Sequence, residues 1–178
     1  MSLRSTRHAQ AKRREAGGRP QEREALGFDF PREAPAATLP GLEVFCQHPS
    51  HIHALPLEPR ALARKCAMLA QKAAERGAKI HSLQLHIVCD GQMALLNSAF
   101  MGAPGPTNIL SFPGGEGMPG ILALSSDTLA REAKLYGQDP AAHALRLLAH
   151  GLGHLAGFEH GPEMDEFVEA LLEGASND

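Results

Sequence analysis

Residues 150–160 read HGLGHLAGFEH, and this stretch constrains the chain more than any other. His150 and His154 are four residues apart, so on a helix both imidazoles leave the same face about 6 Å apart along the axis. That separation lets two ring nitrogens converge on one ion at about 2.0–2.1 Å each. Gly157 permits the positive-φ turn that ends a helix and redirects the chain. His160, three residues later, can then swing back as a third ligand. A helical histidine pair alone is more often surface or core histidine; the glycine and the third histidine make it a metal site. Three neutral histidines leave a coordination position open, and no cysteine lies near to close it, which is the pattern of a catalytic rather than a structural zinc. In such a site the expected reactive group is a metal-bound water with its pKa lowered to about 7. Imidazole also suits other divalent transition metals.

The helix that carries this pair starts at Asp139-Pro140, with Asp at the cap and Pro in the first turn, and should end at Gly157. Upstream, LEVFCQ from Leu42 reads as a strand. Residues 61–76 place Leu62, Cys66, Leu69 and Ala73 on one helical stripe with Gly77 as the stop. SLQLHIV alternates, with Leu83, Leu85 and Ile87 on one face of a half-buried strand. GQMALLNSAF reads as a short helix packing Met93, Leu96 and Phe100, followed by the turn MGAPGPT and the strand NILSFP. The strand ILALS then leads to a helix from Thr128, capped by Ser126 or Asp127. Strands and helices interleave, which predicts an α+β fold with a small mixed β-sheet packed with helices. The metal site falls at the end of a helix in the C-terminal half.

Length and charge divide the chain. Its 178 residues suit one ordinary domain, residues 41–178, preceded by an extension, residues 1–40, that is rich in Arg, Ala, Gly and Pro. Residues 1–24 hold seven basic residues against Glu15, Glu22 and Glu24, a balance of +4. The whole chain is −3, so the remainder carries −7. A basic arm on an acidic domain suits phosphate, and equally a solvated, flexible start. No run of about 18 apolar residues exists to cross a membrane, and no apolar segment follows the N-terminal charges as in a secretory signal. Cys46, Cys66 and Cys89 are scattered and odd in number, the usage of reduced thiols in a cytoplasmic protein. The remaining histidines are expected to hold no metal. His48, His51 and His53 fall in a proline-rich loop, His81 and His86 sit around a strand, and His143, two turns before His150, is expected off its face.

Two families share the histidine spacing. The metzincin proteases carry a glutamate after the first histidine as general base; here that position is Gly151, which cannot accept a proton. With glycine there, the motif resembles the YbeY family of bacterial ribosomal-RNA maturation proteins. LLNSAFMGAPGPTNILSFP, residues 95–113, is similar to that family's leucine–asparagine helix start and its T-D-V-L-S-F-P strand, and GILALS, residues 120–125, to its G-D-I-V-I-S strand. The resemblance runs from about Leu42 to Leu172.

It implies a zincin-like fold and a zinc-dependent, single-strand-specific endoribonuclease. Its implied role is rRNA maturation and ribosome quality control, with ribosomal RNA and the ribosomal subunit as partners. Its metal ligands map onto His150, His154 and His160. Glu159 is a candidate proton acceptor or ligand-orienting carboxylate, and Ser111 a candidate hydrogen-bonding group near the site. The chain departs from the family pattern at Met101, where an arginine is usual, and at Asn108 and Ile121, where aspartates are usual. Within the motif, Gly153 replaces a leucine and Glu159 an aspartate. These departures remove a cation and two carboxylates, which leaves a second reading open: a non-catalytic ribosome-assembly factor with a structural metal.

Overall fold

The computed structural model describes residues 34–46, 55–173 and 175. His48, His51, His53 and most of the expected N-terminal extension lie outside them. Five strands form one mixed sheet in the order β1-β2-β3-β5-β4. These strands are β1 (Ala37–Leu39), β2 (Leu42–Cys46), β3 (Leu83–Val88), β4 (Ile109–Phe112) and β5 (Gly120–Ser125). β2, β3 and β5 run parallel, and β1 and β4 are antiparallel edges. β1 begins upstream of residue 41 and pairs Ala37 with Val44. The mixed sheet packed with helices is the fold class the alternation of elements predicts.

Among the described residues, four α-helices pack on this sheet, α1 (Pro59–Glu75), α2 (Asp90–Leu96), α3 (Ser126–Tyr136) and α4 (Pro140–Leu155), and a fifth, α5 (Pro162–Leu172), packs on α4 and α1. The expected stripe of α1 (Leu62, Cys66, Leu69 and Ala73) is fully buried in the main core, against Leu83, Leu85 and Ile87 of β3 and Leu148 and Leu152 of α4. Burial of such side chains stabilises the fold by about 1.5–3 kcal/mol each. The opposite face of the sheet carries a smaller cluster of Val88, Met93, Leu96, Leu110 and Ala123. Lys65 and Lys72 of α1 donate to the carbonyls of Ala175, Leu171 and Glu173, so one helix's cations satisfy the carbonyl end of another.

Three local features differ from expectation. The helix expected over residues 91–100 is α-helical only to Leu96; Asn97–Met101 widen into a π turn closed by Gly102 at φ 64°. Phe100 thereby meets Phe112 edge-on, ring centres 4.9 Å apart. Helix α3 starts earlier, capped by Ser125, whose Oγ accepts from Thr128 N–H at 3.1 Å. Ser126 and Asp127 do not cap because they serve β3 and α2: Ser126 Oγ donates to the Val88 carbonyl, and Asp127 accepts from Asp90 N–H. Helix α5 lies beyond the elements expected from the sequence, although Met164, Phe167, Val168 and Leu171 carry helical spacing and are buried.

Asp90 ties the β3–α2 junction to the β5–α3 junction. Its carboxylate accepts from Ser125 and Thr128 hydroxyls at 2.7 and 2.6 Å and from Arg131 at 2.7 Å. Burial alone would raise its pKa, but these hydrogen bonds and the Arg131 charge hold it below the usual carboxylate range.

Candidate metal centre

Helix α4 begins as its sequence dictates: Asp139 Oδ1 accepts from Ala142 N–H at 2.8 Å, with Pro140 in the first turn. Its last residue is Leu155, and Gly157 follows at φ 94°. Phe158 N–H donates to the Gly153 carbonyl and Gly157 N–H to the His154 carbonyl, both at 3.0 Å, so the chain turns back against its own helix end. Phe158 then stacks at 4.6 Å on Phe167 of α5, which holds the returning segment in place.

This turn brings His160 to the helical pair. Each of the three histidines offers a nitrogen, and all three lie within 4.8 Å of one another. His150 and His154 are half-buried and His160 is exposed. The Nε2 atoms of His150 and His154 are 3.2 Å apart. Two nitrogens each about 2.05 Å from a tetrahedral ion would be about 3.3 Å apart, so the pair fits a zinc-sized ligand edge. His154 Nδ1 lies 3.1 Å from the Phe158 carbonyl and donates to it, which leaves the Nε2 lone pair facing His150. Among the described residues, no fourth His, Cys, Asp or Glu joins the group.

Beside the centre, helix α4 rests on β4 and β5. Ser111 Oγ donates to the Gly151 carbonyl at 3.1 Å, one residue beyond His150. A Cβ on Gly151 would stand 2.8 Å from the Leu122 Cδ2 methyl and 2.9 Å from the Ile109 Cδ1 methyl, so any side chain at this position displaces them. On the opposite flank, a Cβ on Gly153 would stand 2.3 Å from Met164 Sδ.

The other candidates fall outside the triad. Glu159 is exposed and not part of the histidine group. Met101 is exposed at the end of the π turn, and Ile121 faces Gln84 and Phe112 across the sheet. Asn108 donates to Glu132 at 3.1 Å. His81 is exposed. His86 is buried and stacks on Phe45 at 4.8 Å, and burial lowers its pKa to about 4. The three cysteines are free, and burial pushes the Cys66 thiol up to about 12.

His143 corrects an expectation. Seven residues turn a helix through about 700°, some 20° short of two turns, so His143 shares the His150 stripe rather than leaving it. The rise of about 10 Å still keeps it from a common ion. Its Nε2 instead meets Glu132 at 3.0 Å, which completes an Asn108–Glu132–His143 network. Spacing on α4 signals this stripe; the partner on α3 has no signal in the sequence.

Fold and centre together define a small mixed-sheet protein with an all-histidine candidate metal site at a helix end. The family model described as Endoribonuclease YbeY matches residues 50–173, and the chain belongs to that family. It is similar to the protein named Endoribonuclease YbeY of Oleidesulfovibrio alaskensis, 46% identical over 112 residues, covering 49% of this chain and 66% of that protein. The proteins of the same name from Nitratidesulfovibrio vulgaris and Lawsonia intracellularis are each 42% identical. They are matched over 66% and 53% of this chain and over 86% and 72% of their own lengths.

Proposed function

We propose that the chain is a metal-dependent endoribonuclease specific for single-stranded RNA, acting in rRNA maturation and ribosome quality control. Its metal centre is formed by His150, His154 and His160 on a zincin-like helix. One observation carries this reading: three imidazole nitrogens within 4.8 Å of each other, ending in an exposed histidine with no fourth protein ligand among the described residues. One Zn2+, or another divalent transition metal, fits that donor set. When bound, the ion supplies Lewis-acid polarisation of a phosphoryl oxygen and activation of water.

The chain's own residues do the rest. His154 is oriented by the Phe158 carbonyl, and Ser111 fastens the helix to β4 beside His150. Glu159, next to His160 and exposed, is the carboxylate available to accept a proton. The basic residues of the N-terminal arm would meet phosphates, with affinity that falls as salt rises. A cytoplasmic setting among ribosomal subunits follows from that substrate.

Met101 favours a second reading. An exposed thioether stands where the family's arginine is usual, so a transition-state cation is missing and a non-catalytic assembly factor with a structural metal becomes the alternative. The test compares zinc-loaded and chelator-treated full-length protein on single-stranded and duplex RNA. Zinc-dependent cutting of the single strand alone is expected. RNA left intact by protein holding one equivalent of zinc would favour the assembly factor.

A further inference from the structure

Strand β4 is an edge of the sheet, and its backbone shows which groups face outward. Ser125 N–H donates to the Asn108 carbonyl at 2.9 Å, which sets the alternation of the antiparallel pair. Asn108, Leu110 and Phe112 therefore turn their backbone groups toward β5. Ile109, Ser111 and Pro113 turn theirs to the open edge. The Ile109 N–H is taken by Asn108 Oδ1 at 2.7 Å, and proline has no N–H. Among the described residues, Ser111 N–H is the one donor this edge offers.

That donor lies level with the metal centre. Helix α4 and β4 run in the same direction: Asn108 meets His143 through Glu132 at one end, and Ser111 meets Gly151 further along. From His143 to His150 the helix rises about 10 Å, and from Asn108 to Ser111 the strand advances about 10 Å. The stripe of His143, His150 and His154 thus flanks the open edge, with His150 beside Ser111. The Ser111 hydroxyl is spent on the Gly151 carbonyl, which fixes the strand against the helix and leaves the N–H outward.

We propose that the backbone N–H of Ser111 is a substrate contact, donating to a non-bridging phosphate oxygen of the RNA strand held at the histidine centre. The proposal rests on the nuclease reading of the same site. An extended peptide would need a ladder of alternating donors and acceptors, and Asn108 and Pro113 have removed the donors on either side. A single donor next to a cation centre suits one oxyanion.

Two measurements test it. The first uses 15N-labelled, zinc-loaded, full-length protein titrated with an uncleavable 2′-deoxy oligonucleotide and, separately, with an alternating Thr–Val peptide. The Ser111 amide proton should move downfield with the oligonucleotide and stay put with the peptide. Lack of oligonucleotide binding, binding that leaves Ser111 unmoved, or a shift caused by the peptide each overturns the contact. The second compares RNA cleavage by Ser111→Pro and Ser111→Ala, which both lack the hydroxyl while only the first lacks the N–H. The proline variant should lose about 100-fold in kcat relative to the alanine variant, with KM little changed. If the proline variant does not fold, an amide-to-ester exchange at Ser111 removes the N–H alone and takes its place. Equal rates in two variants that both cut RNA overturn the proposal. Uncut RNA together with a shifted Ser111 amide removes the nuclease reading and leaves the contact standing.

Discussion

Met164 fills the space beside Gly153: its sulfur lies 2.3 Å from where a Cβ on that glycine would stand, and its side chain is wholly buried. The family resemblance puts a leucine at position 153, so here the bulk comes from α5 instead of α4. Gly153→Ala should cost about 1–3 kcal/mol in urea denaturation, although alanine is the better helix former. Adding Met164→Ala should cost less than the two single changes summed, because each makes room for the other. Strict additivity would show that the two residues do not compete for one space.

Gly151 faces the sheet, where the nearest atoms would stand 2.8 and 2.9 Å from an added Cβ. A methyl group there would press on the ends of Leu122 and Ile109 and on Ser111 Oγ, which itself bonds the Gly151 carbonyl. Gly151→Ala is expected to lower stability by about 1–3 kcal/mol and to weaken zinc affinity, since His150 moves with the helix. Unchanged zinc affinity by competition titration would separate the two effects.

His154→Ala should reduce the metal content of purified protein from about one equivalent to nearly none. Without metal, the variant should melt cooperatively close to the metal-free wild type, because the ring is half-buried and outside the main core. A metal-free variant that no longer folds would assign the histidine a structural role.

Asn108→Asp would set a carboxylate against Glu132, whose oxygen now accepts from the Asn108 amide at 3.1 Å. A loss of about 1–2 kcal/mol is expected at pH 7. It should shrink when Glu132→Gln is added. Equal losses with and without that second change would refute the pairing.

His86 predicts a pH dependence. Above pH 6.5 the ring is neutral in both folded and unfolded chains and contributes no slope. Between 6.5 and about 4 the unfolded chain binds a proton that the buried ring refuses, so stability falls as the pH falls. The loss levels off below about 4 and amounts at most to roughly 3 kcal/mol. His86→Phe, which keeps an aromatic ring against Phe45, should flatten this slope. The difference between the two proteins cancels the other histidines, and identical slopes in urea melts at pH 7.5 and 5 would count against burial as the cause.

What the sequence determined was local. The four-residue interval between His150 and His154, the glycine at 157 and the Asp139-Pro140 start needed only helix geometry, and the α1 stripe needed only its period. Each such signal spans a few turns of one element, where 3.6 residues per turn decides which side chains share a face. Tertiary structure decided the rest, through residues far apart in the chain. It gave His143 its partner on α3, transferred the cap of that helix to Ser125, and put Met164 beside Gly153. It also made β4 an edge, so that Ser111 faces outward beside the histidines. Spacing along one segment holds no information about which other segment lies next to it; strand order and helix packing supply that.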